Sequence, residues 1–460
     1  MRMLSILSLC LFAAACLAAG AEPAGGEANP WPRIRKERVR QLLPSAMKEA
    51  GVDAWLVVCR ENANDPLAVH VGGENAGGEA AFLFFREGNQ IHSVAISPAG
   101  EATALRDVGL HDVVEVLPRG AKVWPAVVAA LRARHPGRVA VNSAARAMAD
   151  GLSHTQRVEL ECELGPEWAD RLVSSEELVV QWLSVKLPEE VEIMRRAAAV
   201  TDGLLREACR TIVPGKTTDA DVARFLKGRM RELGVEDAWA PDQNPNINSG
   251  PDRGHSNATD RVIVPGDVIQ MDFGIKVHGI WCSDVQRFAY VLREGETAAP
   301  ETVRQRFEKA VRGHRLVLAA LRPGASGYEV DMVQRRWMKE QGSLPVMWGT
   351  GHPVGYWAHD LGPALSGGQT DKPPSGDAAR LLRPGMVFAW DGFFSWEMDD
   401  AGSPVTAGKA PAGESPVMVG PNGKPTKTIS VEEMAVVTET GSQLLSPPQD
   451  QLILIPDHGK

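Results

Sequence analysis

Asp272 and Asp284 lie on either side of a turn-like segment, Lys276-Val277-His278-Gly279, each in a short apolar run. A simple hairpin centred on His278 sets the two aspartates directly opposite, with Cβ atoms roughly 4.5–5.5 Å apart. Carboxylates held that close repel each other unless a proton or a cation lies between them. Met271 and Phe273 make the surroundings apolar, which sharpens the need. Aspartate is mostly a solvated surface residue, so the pair alone carries little weight. Three further residues add to it. His352 lies in Gly349-Thr350-Gly351-His352-Pro353, where glycines allow close backbone approach. Asp391 sits in the apolar run Val387-Phe388-Ala389-Trp390-Asp391, and Glu432 near the start of Val431-Glu432-Glu433-Met434-Ala435-Val436-Val437. Buried carboxylates are rare unless paired or metal-bound. Four carboxylates and one imidazole suit Mn, Co, Fe or Zn better than a thiolate-seeking metal. Two such ions, about 3.5–4 Å apart, would share these ligands and activate a bridging water.

The elements that must position these residues fall into two units. From about Arg33 to Arg171 helix and strand patterns alternate. Ala54–Cys59, Ala81–Phe85 and Val139–Val141 read as buried strands and Val123–Arg134 as a helix. This α/β unit, 33–175, follows a Gly/Ala/Pro/Glu-rich lead-in at 22–32 and contains no cluster of acids, bases or metal ligands. The second unit, 184–446, opens at Pro188, with Glu189 and Glu190 in the first turn of a helix where the dipole favours anions. Pro214-Gly215 ends that helix, and a second runs from Thr217-Thr218 to Leu233.

A weak internal repeat links the candidate residues. Pro214-Gly215 before a helix ending Arg229–Gly234 is echoed by Pro323-Gly324 before Trp337–Gly342. Pro265-Gly266-Asp267-Val268 leads to Asp272 as Pro384-Gly385-Met386-Val387 leads to Asp391. Two copies are too few for a solenoid. They fit one α+β domain built from two similar halves about a pseudo-twofold axis, with Asp272 and Asp391 facing each other near it.

At these residues the sequence resembles the pita-bread metallopeptidases, which include methionine aminopeptidases, Xaa-Pro aminopeptidases and prolidases. The resemblance covers about Ser184 to Ser446, and 33–175 is more loosely similar to the N-terminal, creatinase-like domain of the Xaa-Pro peptidases. The family's ordered ligands, Asp, Asp, His, Glu, Glu, fall by resemblance on Asp272, Asp284, His352, Asp391 and Glu432. The context Asp272-Phe273-Gly274, Ser283-Asp284 with Arg287, Gly351-His352 and Val431-Glu432-Glu433 agrees. The resemblance also places His255 and His359 against substrate, makes Asp391 the proton-handling residue, and implies two divalent ions and a peptide substrate. Four departures stand out: Asp391 for the usual Glu, Pro353 for a Gly, Asp360 for a Glu and Ser430 for an Arg. Residues 392–428 form a Gly/Pro-rich insertion between two ligand strands, a candidate loop over the site. A metal-free carbon–nitrogen hydrolase like creatinase and a non-enzymatic pita-bread binding protein are the alternatives. Both predict lost metal carboxylates.

Bulk properties are consistent with this. The chain has 460 residues, 44% hydrophobic and 23% charged, as in soluble globular proteins. A net charge of -9 disfavours nucleic acid as a partner. Arg2, the apolar run Leu4–Leu17 and Ala19-Gly20-Ala21 read as a signal peptide cleaved after Ala21, giving a periplasmic or secreted protein. Ala13-Ala14-Ala15-Cys16 is a rival, weaker lipobox that would leave a lipid anchor at Cys16. Cys59, Cys162, Cys209 and Cys282 show no CxxC spacing and read as small buried hydrophobes. The sequence leaves a homo-oligomer open.

Overall fold

The computed structural model describes residues 28–254, 256–369, 373–398 and 417–457. The signal segment, Cys16 and His255 lie outside the described residues. Among the described residues no helix is long and apolar enough to cross a membrane.

The N-terminal unit is a six-stranded mixed sheet. Its strands are β1 (Ala54–Cys59), β2 (Ala80–Glu87), β3 (Gln90–Pro98), β4 (Val113–Leu117), β5 (Val139–Val141) and β6 (Leu172–Ser174), in the order β4-β3-β2-β1-β5-β6. β1 is buried along its whole length because successive side chains serve different cores. Ala54, Leu56 and Val58 pack into a core private to this unit, against Trp124 and Leu131. Trp55, Val57 and Cys59 pack into a core that continues through Trp182 to Met271 and Phe273 of the second unit. The sheet thus uses one face to carry the catalytic half. The first helix, Trp31–Gln41, starts inside the expected lead-in, because Trp31 is buried in that shared core.

The junction is sealed by a dry ion pair. Arg38 Nη1 lies 2.6 Å from Glu190 Oε2, with both side chains fully buried. Arg38 also donates to the carbonyls of Trp182 and Val185, while Glu190 Oε1 accepts from Trp281 Nε1 and Tyr356 OH. A buried pair is costly unless its other donors and acceptors are largely matched, as here, where only Arg38 Nε has no hydrogen-bond partner. The Glu190 that the sequence assigned to a helix dipole is therefore also an interdomain anchor.

The second unit follows the repeat. Helices Pro188–Thr211 and Asp219–Leu233 precede β7 (Glu236–Asp237), β8 (Asn246–Ser249), β9 (Val268–Phe273), β10 (Ile275–Val277), β11 (Trp281–Cys282) and β12 (Val285–Val291). Helices Glu301–Ala320 and Gly327–Glu340 precede β13 (Gly351–Pro353), β14 (Val387–Glu397) and β15 (Thr426–Val437). β16 (Ser442–Leu444) and β17 (Ile453–Ile455) complete an eight-stranded sheet by pairing with β15 and β12, so the unit extends past Ser446. The main path is β13-β14-β15-β12-β9-β8, which reads the same from either end: outer strand, aspartate strand, inner strand.

The four Pro-Gly echoes adopt one conformation. Gly215, Gly266, Gly324 and Gly385 have φ of 77°, 96°, 81° and 83°. Each closes a turn through a hydrogen bond spanning the Pro-Gly pair, as from Lys216 N to Val213 O and from Ala325 N to Arg322 O. Pro sets the first corner and only Gly takes the left-handed second corner at no cost. Both second helices begin with a reciprocal cap, Thr218 with Asp221 and Ser326 with Glu329.

Three expectations need correction. Val277 pairs with Trp281, so the turn holds His278, Gly279 and Ile280, and Asp272 lies opposite Gln286 rather than Asp284. His278 is indeed a turn residue, with φ of 53°. The insertion is shorter than 392–428, because β14 and β15 stay paired out to Glu397 and Thr426; residues 399–416 lie outside the described residues. All four described cysteines are thiols, but Cys162 is exposed, while Cys59, Cys209 and Cys282 are buried.

Candidate metal centre

Strand register assembles the site. Asn246 pairs with Asp272, Asp272 with Gln286, Gln286 with Glu432, and Glu432 with Asp391. These five residues form one row across the sheet, and cross-strand partners present their side chains to the same face. Asp272 and Asp391 flank the central Gln286–Glu432 pair symmetrically, as the repeat requires. Asp284, two residues before Gln286 on the same strand direction, joins that face diagonally.

His352 is brought in by β13. Gly351 is needed there because a Cβ would sit 2.3 Å from Ala389 O of β14. Asp331 anchors the approach: its Oδ1 accepts from Thr350 N at 3.2 Å and Thr350 Oγ1 at 2.5 Å. Asp391 N then donates to Thr350 O at 2.8 Å. His352 Nδ1 lies 3.2 Å from Pro353 O. A carbonyl only accepts, so Nδ1 carries a proton, and Nε2 faces the carboxylates. Nε2 is 3.7 Å from Asp284 Oδ2 and 3.9 Å from Glu432 Oε1.

One cleft of about 440 Å³ is lined by Asp272, Asp284, His352, Asp391, Glu432 and His359. The rings of His352 and His359 are 4.1 Å apart at 69°, edge to face. Trp239 and Trp348 add apolar wall. Behind the site, Arg287 is fully buried and ties Asp202 (2.5 Å) to Glu433 (3.0 Å), holding β12 against β15. Asp360 points elsewhere: it pairs with buried Lys186 at 3.0 Å in the domain junction.

The electrostatics call for a cation. Burial pushes Asp272 up to about 7. Burial, then Glu432, Asp272 and Asp391, raises Asp284 well above the usual carboxylate range. Burial, then repulsion from neighbouring carboxylates, does the same to Asp391 and Glu432. Without a metal, burial and mutual repulsion favour the protonated forms of these groups, and a bound cation favours the charged ones. One donor atom each from Asp284, His352 and Glu432 lies within 4.8 Å of the others, close enough for one ion to gather all three. The hard oxygen-rich donor set with one imidazole fits a divalent first-row metal.

Sequence reasoning missed Gln286, Gln270, Trp239 and Trp348 at the cleft, and Asp331 behind it. Gln286 was accessible in principle, since it follows Asp284 at the strand period of two. The tryptophans come from loops whose approach no periodicity foretells.

Comparison with known proteins agrees with the fold and chemistry. The profile of metallopeptidase family M24 matches residues 192–439. The uncharacterized peptidase YqhT of Bacillus subtilis is 26% identical over 62% of this chain and 68% of its own length. The Xaa-Pro dipeptidase of Pyrococcus furiosus is 28% identical over 44% of this chain and 53% of its own length. The dipeptidase PepE of Mycobacterium ulcerans superposes with a TM-score of 0.64 at 20% identity, over 92% of this chain and 99% of that one. The fold and the site define a pita-bread metallohydrolase. The chain belongs to metallopeptidase family M24 and is a peptidase dependent on divalent metal.

Proposed function

We infer that this chain hydrolyses the peptide bond between an N-terminal residue and proline, using two divalent ions held by Asp272, Asp284, His352, Asp391 and Glu432. The convergence of those five side chains in one cleft carries the reading, and the names of the relatives supply the substrate class. Divalent ions there would polarise the scissile carbonyl and lower the pKa of a water. Asp391 receives that water's proton, being a carboxylate that lines the cleft beside the other ligands. His359 stands edge-on to His352 and offers a donor to the substrate carbonyl. His255 binds substrate from the segment following Gly254. Trp239 and Trp348 give apolar cover to the substrate and keep water out.

The test is an assay of purified protein on an Xaa-Pro dipeptide and an Xaa-Pro-Xaa tripeptide, with metal content measured alongside. We expect hydrolysis that EDTA abolishes and Mn²⁺ restores, and the preferred length separates dipeptidase from aminopeptidase. Full activity in a thoroughly chelated sample would rule the reading out.

The charged start, apolar run and Ala-x-Ala pattern support export with cleavage after Ala21. The intact mass of protein recovered from an exporting host should correspond to a chain beginning at Glu22. A mass showing acylation at Cys16 overturns the soluble form.

A further inference from the structure

Gln286 occupies the centre of the carboxylate row, yet it is neutral. Its side chain is buried. Nε2 donates to Glu432 Oε2 at 3.0 Å and to Asp391 Oδ1 at 3.4 Å. Oε1 accepts from Gln270 Nε2 at 2.7 Å and from Ser430 Oγ at 3.0 Å. A primary amide has two donor hydrogens and two acceptor lone pairs, and here each has one partner. The orientation is dictated by those partners. Turning the amide over would aim its oxygen at two carboxylates.

We propose that Gln286, clamped by Gln270 and Ser430, is a positioning residue that fixes Glu432 and Asp391 for metal binding. The inference rests on the reading of this cleft as the metal site. A carboxylate on a two- or three-bond stem swings freely unless one oxygen is held, and ordering it on binding costs affinity. Gln286 holds Oε2 of Glu432, while Oε1 stays directed at His352 Nε2. It holds Oδ1 of Asp391, whose stem is one methylene shorter than a glutamate's. A lysine or arginine at this position would hold both groups too, but would neutralise the charge that attracts the cation. A neutral amide orders the ligands and leaves their charge intact. Ser430 acquires a role here: its hydroxyl locks the amide rather than touching the metal ligands.

The experiment is calorimetric titration of the metal-stripped full chain with Mn²⁺, on the unmodified protein, Gln286→Leu, Ser430→Ala and the double variant. Outer-sphere partners of metal ligands are typically worth about 10- to 100-fold in affinity, and Gln286→Leu should lose an amount in that range. Ser430→Ala should lose less, in the same direction. The double variant should be no worse than Gln286→Leu alone, because the serine acts only through the amide. Unchanged Mn²⁺ affinity in Gln286→Leu, or additive losses in the double variant, overturns the inference. If Gln286→Leu does not fold, Gln286→Asn takes its place; its shorter amide cannot span to both carboxylates and should show the same loss, and retained affinity there overturns the inference equally. Failure of the unmodified chain to bind Mn²⁺ overturns the metal site itself, and is thereby distinguished from failure of the inference alone.

Discussion

Replacing His352 with alanine should leave a folded protein that no longer retains divalent metal and no longer cleaves peptides. The imidazole is the sole nitrogen ligand in the set and sits 3.7 Å and 3.9 Å from the two carboxylates it would share an ion with. Its backbone, by contrast, is held by β13–β14 pairing and by Asp331 through Thr350, none of which needs the ring. The side chain is 24% exposed at the cleft, so truncation opens the cavity rather than leaving a void in a core. Losing the metal removes several kcal/mol of transition-state stabilisation. At about 1.4 kcal/mol per tenfold, that is a fall of roughly three orders of magnitude or more in kcat/KM. Metal content after dialysis, thermal melting and peptide turnover together check this. A His352→Ala protein with full metal content and undiminished turnover would show that His352 is no ligand. Asp284→Asn should behave in the same way, since the amide keeps the shape and loses the charge.

Asp391 is expected to give the second largest effect. Asp391→Asn should lower turnover by about 10²–10⁴, the usual worth of a general base, because an amide cannot take a proton. Metal content should fall less than in His352→Ala, since an amide oxygen remains. The structure also bears on a question the sequence left open. An aspartate in place of glutamate loses about 1.5 Å of reach, one carbon–carbon bond. That shortfall would vanish if β14 had moved inward. β14 and β15 pair without interruption from Val387 and Val436 to Glu397 and Thr426, so no bulge pushes Asp391 forward. Asp391 faces a cleft of about 440 Å³. Asp391→Glu is therefore expected to raise kcat on Xaa-Pro peptides. A lower kcat in the glutamate variant would mean that the aspartate is already well placed, and a wild-type rate in the asparagine variant would remove Asp391 from proton handling.

Much of this was open to reading from the chain alone. The Pro-Gly echoes, the helix starts at Pro188 and after Thr218, and the apolar strands around Asp272, Asp391 and Glu432 are local signals. They rest on glycine's tolerance of positive φ, on capping and on side-chain period, all of which act within a few residues. Those signals, with the ordered acid and imidazole residues, sufficed to indicate two units, a pseudo-symmetric second half and the set of side chains that now share one cleft.

What the tertiary structure decided is register and approach. The hairpin centres on Gly279 rather than His278, which moves the partner of Asp272 by two residues to Gln286, and a row of five side chains replaces the expected aspartate pair. Whether two strands separated by many residues align depends on the sum of all their cross-strand contacts, which no local pattern contains. For the same reason Gln286, unremarkable as a polar residue in a buried strand, becomes the centre of the site only once β12 and β15 are set side by side. Likewise Glu190, a helix-start acid in the sequence, becomes half of a dry ion pair with Arg38 only when the two units close on each other, since neither charge could be left buried without the other.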